Sequence, residues 1–268
     1  MPRIAVGIEY HGGAYAGWQV QPGLRTLQGV LEAAVGRVAA QPIKLTCAGR
    51  TDAGVHAVGQ VAHFDTEARR MPRGWMLGTN TYLPPDVSVR WAREVPAHFH
   101  ARHSAQSRTY WYLVANGLGR SALAAGRAAM IHPPLDAQRM GAAARLLLGE
   151  HDFSAFRAAE CQARSPVRRL EELAVVRHGD WLAIRATANA FLHHMVRNIA
   201  GLLIAVGQGK APPEWAAAVL ESRDRTRGAA TAAPEGLYLW SVRYAPEFDL
   251  PSAPRSSWAM IPGSYVVV

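Results

Sequence analysis

Apolar and polar positions alternate over residues 3–10 (Arg-Ile-Ala-Val-Gly-Ile-Glu-Tyr), and His11-Gly12-Gly13 ends the run, which predicts a first strand. Residues 26–40 carry Leu27, Val30, Leu31, Ala34, Val35 and Val38 at helical spacing and stop before Pro42. Residues 43–48 and 57–64 read as two strands on either side of Gly49-Arg50-Thr51-Asp52-Ala53-Gly54. Residues 73–83 predict a short helix ended by Pro84-Pro85, and Val87–Val95 a further strand. A second cycle follows. Residues 107–115 read as a strand, and Asp136 caps a helix expected to run through Leu148. Residues 173–177 and Trp181–Ala188 form a hairpin across His178-Gly179-Asp180. Residues 191–206 predict a longer amphipathic helix, 213–221 another, and Leu237–Arg243 a last strand. Strands and helices recur in both halves without sequence repetition, the pattern of an α+β protein with two similar lobes. The expected division is 1–103, 104–249 and a Pro- and Ser-rich tail, 250–268, whose apolar Tyr265–Val268 end is expected to dock. The Gly-, Ala- and Arg-rich stretch 116–134 reads as a surface excursion or arm.

Composition narrows the class. The chain has 268 residues, 49% hydrophobic and 18% charged, which excludes wholesale disorder and allows one large domain or two ordinary ones. Two cysteines, Cys47 and Cys161, build neither a metal cage nor a disulfide framework and suit a reducing compartment. The N-terminus lacks the apolar stretch of a signal peptide, and the longest apolar run, near 199–206, is too short for a bilayer. A cytoplasmic protein without membrane contact is expected.

Charge adds a partner. Lys and Arg number 29 against 20 Asp and Glu, a net charge of +9, and Lys44 and Lys210 are the only lysines. Arginine forks match phosphate oxygens and stack on bases. Genome base composition also favours arginine, so composition alone leaves the two explanations level. Distribution separates them. Residues 95–135 contain no Asp or Glu but hold Arg102, Arg108, Arg120 and Arg127, with Phe99, Tyr110, Trp111 and Tyr112 among them. Such a tract offers phosphate contacts beside stacking faces, against an ordinary amphipathic strand with Trp111 turned inward and Tyr110 and Tyr112 sharing one side. Arg164, Arg168 and Arg169 form a second cluster. His98, His100 and His103 have no Cys or carboxylate to complete a ligand set, so no metal is expected. His193 and His194 point in different directions, so only one faces a site.

The most informative stretch is Cys47-Ala48-Gly49-Arg50-Thr51-Asp52-Ala53-Gly54-Val55-His56, a tight loop between two strands. Gly49 and Gly54 open backbone conformations closed to other residues. Asp52 sits at its centre, where Arg50 keeps the carboxylate ionised and Thr51 orients it by hydrogen bonding. Asp and Gly also fill ordinary turns for conformational reasons. The loop has neither the spacing of a phosphate-binding P-loop nor a Ser nucleophile elbow.

The segment Gly49–His56 resembles the signature of the tRNA pseudouridine synthase A family. Further segments match in order: Gly7-Ile8-Glu9-Tyr10 with Gly17-Trp18-Gln19, Phe99-His100-Ala101-Arg102 and Arg108-Thr109-Tyr110-Trp111-Tyr112. Then come 147–153, 189–198 and Ala233-Pro234-Glu235-Gly236-Leu237-Tyr238-Leu239. Together they span about residues 4 to 245.

This resemblance implies isomerisation of uridine to pseudouridine at tRNA positions 38, 39 and 40, in the anticodon stem-loop, with no cofactor and no metal. It implies that Asp52 is catalytic, acting by attack on C1′ or by helping remove the C2′ proton, two routes the sequence leaves open. Arg50 is implied to help flip the base and Tyr110 to stack on the uracil. Whether Tyr110 also takes the C5 proton stays open. Arg197 is implied to pair with the catalytic carboxylate. Phe99, His100, Arg102, His103 and Arg164 are implied tRNA contacts. The implied fold is two α/β lobes forming one continuous antiparallel sheet flanked by helices, with the active cleft between them. The implied assembly is a homodimer on which one tRNA, through its anticodon arm and elbow, crosses both subunits. The chain departs at Thr109 and in its longer apolar-ended tail. The alternatives are a non-catalytic tRNA-binding or tRNA-folding protein, and a nucleoside or glycoside hydrolase using Asp52, for which the loop marks no second carboxylate.

Overall fold

The computed structural model describes residues 1–251. The expected docking of Tyr265–Val268 lies outside them. In chain order the elements are β1 (Arg3–Tyr10), α1 (Leu27–Ala39), β2 (Thr46–Cys47), β3 (His56–Asp65), α2 (Pro72–Tyr82), β4 (Val87–Val95) and β5 (Ser107–Asn116). There follow β6 (Ala129–Ile131), α3 (Ala137–Arg145), β7 (Gly149–Asp152), β8 (Val167–His178), β9 (Trp181–Ala188), α4 (Met195–Gly207), α5 (Trp215–Ser222) and β10 (Leu237–Arg243). The fold is α+β.

The described chain divides into two compact units. The first holds Met1–Ser107 and everything from Tyr238 onward; the second holds Arg108–Leu237. The expected break at 103/104 therefore falls at 107/108, and the last strand returns to the first unit, whereas the sequence reading assigned 104–249 to one lobe. The pairing is mixed, not purely antiparallel: β10 pairs β3 in parallel, and β6 pairs β5 in parallel.

In the first unit the strand order is β4-β1-β3-β10, with β2 also on β3. Register puts Ile4 opposite Phe64 and Val6 opposite Ala62, so these side chains share the face covered by helices. Leu27, Leu31, Ala34 and Val35 are the buried stripe of α1, and Trp75 of α2 meets Phe64 edge-on, ring centroids 5.2 Å apart. Thr26 caps α1 by accepting the Gly29 N–H at 3.4 Å. The opposite face carries Ala5, Val61 and Val95, closed by Phe99, Ala101 and Phe248.

In the second unit β5, β9, β8 and β7 lie side by side, with β6 on β5. Tyr112 is completely buried, while Tyr110 and Trp111 each keep 8% exposure. The Arg185 guanidinium lies over Trp111 at 5.9 Å. Helix α4 buries most of its length, from Met195 to Gly207. Asn198 is its one buried polar side chain. Its amide donates to the Phe156 carbonyl at 2.7 Å, and its Oδ1 accepts from Thr231 at 2.7 Å and Arg225 at 3.0 Å.

Three partners of a buried carboxamide leave little tolerance for its loss. We expect Asn198→Ala to lower unfolding free energy by about 2–4 kcal/mol, because it strands buried groups rather than trading bonds with water. Urea denaturation at neutral pH checks this; a loss well under 1 kcal/mol would refute it.

Candidate active site

The loop between β2 and β3 is held from beneath. The Gly49 carbonyl accepts from Gln60 Nε2 at 2.6 Å, and the Thr51 hydroxyl pairs with the Tyr10 hydroxyl at 2.8 Å. Gln60 Nε2 also lies 3.5 Å from the Tyr10 hydroxyl. The Thr51 hydroxyl thus turns into the interior and not toward Asp52, the orientation expected from sequence. The Thr51 carbonyl accepts the Trp18 N–H at 2.9 Å, and the Asp52 carbonyl accepts the Val55 N–H at 3.2 Å. Gly17 explains the close approach on that side. Its φ is +91°, and a Cβ there would stand 2.9 Å from the Thr51 carbonyl oxygen. Of the two loop glycines, Gly54 takes positive φ (+79°) and Gly49 does not.

The far end of the loop is fixed by His56. It is buried, stacks on Tyr238 at 4.6 Å, and its Nδ1 accepts the Gly12 N–H at 3.0 Å. With both flanks pinned, Asp52 is left half-buried at the turn and Arg50 exposed. Arg50 and Arg102 both act on the buried Cys47 thiol: burial drives its pKa to about 12 and the two guanidinium groups pull it down. Arg102 therefore reaches the same end of β2 as the loop. Cys47 is neither a nucleophile nor a ligand in that state.

Residues 99–103 form a turn on the sheet face away from the helices. Phe99 was expected to touch tRNA, but it is completely buried against His63, Tyr244 and Phe248. It is a core residue that anchors the turn. Arg3 fixes the same turn by donating to the Ala97 and Phe99 carbonyls at 2.6 and 2.8 Å while pairing with Asp65 at 2.7 Å. His100 Nδ1 accepts the Arg102 and His103 N–H groups, both at 3.2 Å. His98 faces Glu247 at 3.8 Å. The histidines thus organise the turn instead of converging as ligands. Arg102 and His103 remain exposed and His100 partly so.

In the second unit Tyr110 packs edge-on against Phe191 at 5.1 Å. Arg197, on the first turn of α4, donates from Nε to the Ala232 carbonyl at 2.8 Å, and its own carbonyl accepts the Ala232 N–H at 3.1 Å. Tyr112 donates to the neighbouring Ala233 carbonyl at 2.9 Å. Burial and Glu235 push its pKa well up, opposed by Arg197. Arg164 is exposed. His193 and His194 were expected to diverge, but their rings lie 4.1 Å apart, because His194 adopts a left-handed conformation, φ 62°, ahead of the helix. Sequence reasoning did not single out Tyr10, Gln60 or His56. Their signal was the polar residue on an otherwise apolar strand.

The family model described as tRNA pseudouridine synthase matches residues 7–104 and 143–245. The chain belongs to this family. Among similar proteins, the tRNA pseudouridine synthase A of Methylococcus capsulatus is 56% identical over 248 residues, 92% of each chain. That of Methylibium petroleiphilum is 52% identical over 257 residues, 96% of this chain and 99% of its own. That of Pseudomonas aeruginosa is 53% identical over 250 residues, 93% and 88% of the two chains. In this pseudouridine synthase family member no helix of the described residues is long and apolar enough to cross a membrane.

The turn at 99–103 rests on a neutral histidine. His63 Nδ1 accepts the Ala101 N–H at 3.1 Å. Burial first, then Arg3 and His100, lower the His63 pKa to about 4. The unfolded chain takes up this proton below its ordinary value of 6.5. Stability is therefore full above that value and falls as pH drops through the interval toward 4. Thermal midpoints measured from pH 8 to 4.5 should decline over that window, and His63→Gln should flatten the decline; an unchanged slope would refute the assignment.

Proposed function

We propose that this chain isomerises uridine to pseudouridine at positions 38, 39 and 40 of the tRNA anticodon stem-loop, with Asp52 as the catalytic carboxylate. The observation that carries the reading is the pinned loop. A half-buried aspartate stands at the tip of a turn whose flanks, Thr51 on one side and His56 on the other, are fixed by buried hydrogen bonds. That is the placement a reacting carboxylate needs: reachable and confined.

The reaction exchanges one bond for another. C1′–N1 breaks and C1′–C5 forms, C5 gives up a proton and N1 gains one. Neither redox partner nor co-substrate enters. The uridine leaves its stack at a cost of a few kcal/mol, and Arg50, exposed on the loop, holds the vacated space. Tyr110 supplies the stacking face for the uracil, and Arg197 pairs with the Asp52 carboxylate. His100, Arg102, His103 and Arg164 track the tRNA backbone along the anticodon arm and toward the elbow. The chain works in the cytoplasm as a homodimer. No observation favours the non-catalytic tRNA-binding alternative.

Tritium release from C5-labelled uridine in tRNA tests the assignment. Asp52→Asn should cut it by about 10³-fold or more while tRNA binding persists; undiminished release would sink it. Neutralising Arg102 and Arg164 together should lower the slope of log affinity against log salt by about 1–2, through lost phosphate contacts. An unchanged slope would move the tRNA track elsewhere.

A further inference from the structure

We infer that Thr51, Tyr10 and Gln60 are positioning residues: a buried polar brace that sets where the Asp52 carboxylate stands. The inference rests on the reading of Asp52 as the reacting group.

The three side chains come from the loop, from β1 and from β3, and exposure is 5% for Thr51, 3% for Tyr10 and 0% for Gln60. Burying three polar groups is costly unless each is paired, and valine, phenylalanine and methionine would fill nearly the same space without that demand. The polar set therefore acts by direction. Two of its hydrogen bonds reach the loop. Gln60 holds the Gly49 carbonyl, and Tyr10, reached by Gln60, holds the Thr51 hydroxyl. Gln60 is itself oriented, because its Oε1 accepts the Val61 N–H at 3.2 Å.

The residue just before Asp52 is thereby clamped twice. Its side chain is tied to Tyr10, and its carbonyl is tied to the Trp18 N–H. On the other side the Asp52 carbonyl closes a turn onto Val55. The Asp52 Cα is held between these points. An apolar substitute at position 51 keeps the volume but frees the loop to rotate about its flanks. A misplacement of about 1 Å at a reacting group costs up to about 100-fold in rate.

The test compares single-turnover isomerisation of tRNA by wild type, Thr51→Val, Thr51→Ser, Tyr10→Phe, the double variant Tyr10→Phe/Thr51→Val, and Asp52→Asn. We expect Thr51→Val and Tyr10→Phe each to slow the step about tenfold per active molecule, with KM for tRNA within about twofold of wild type. Thr51→Ser, which restores the hydroxyl, should recover to within about threefold, and the double variant should be no slower than Thr51→Val, because the pair acts as one unit. Tyr10→Phe removes a single oxygen and carries the comparison if Thr51→Val does not fold. Wild-type rates in both single variants, multiplying losses in the double variant, or a Thr51→Ser no better than Thr51→Val would overturn the brace. Loss of activity in Asp52→Asn beside wild-type rates in the brace variants would remove this inference alone. Retained activity in Asp52→Asn would remove the functional reading beneath it.

Discussion

A carboxylate that must react has to keep contact with water and yet stay in place, and these demands oppose each other on a surface loop. The first unit meets both by fixing the backbone around Asp52. Carbonyls 49, 51 and 52 each have a named donor, and one of those donors, Gln60, stands on β3 itself. The rest of that unit follows from the requirement. Trp18 and Gly17 must lie against the loop, so the chain entering α1 runs across it, with the Leu27 and Gln28 N–H groups bonded back to carbonyls 17 and 18. His56 must fill the far end, so Tyr238 has to reach it from β10.

Charge is handled by the same economy of means. Some arginines serve the fold from within. Arg3 serves Asp65 and two carbonyls, and Arg197 binds the backbone of residue 232. Arg50, Arg102 and Arg164 are exposed. The net charge of +9 is thus of two kinds, structural and presented.

Much of this was legible in advance. Strong periodicity placed β1, α1, β3, β4 and β9 nearly to the residue, and Asp136 does cap its helix. The misses share a cause: a side chain or a single backbone angle overrode the local pattern. The strand expected at 43–48 shrinks to Thr46–Cys47 because Glu32 of α1 takes the Leu45 N–H at 2.9 Å. Helix α4 starts at Met195 instead of 191 because His194 is left-handed. Strand β7, polar and at the sheet edge, carries no hydrophobic alternation to read. At the site, the loop and its aspartate were visible, since glycines and a central Asp mark a turn with chemistry. The supports were not, because Tyr10 and Gln60 act through partners 41 and 11 residues away. Phe99 was misjudged for the opposite reason. An aromatic in a basic tract reads as a stacking face, and only packing shows that it lies inside.

The return of β10 to the first unit bears on how the protein is made. Strand β3 acquires its parallel neighbour only when residues 238 and 239 arrive, long after the catalytic loop has been synthesised. Until then the edge of β3 beside that loop is open, and the stacking partner of His56 does not yet exist. The unit bearing the aspartate therefore cannot mature on the ribosome ahead of the second one, although it comes first in the chain. Folding order and gene order are uncoupled here.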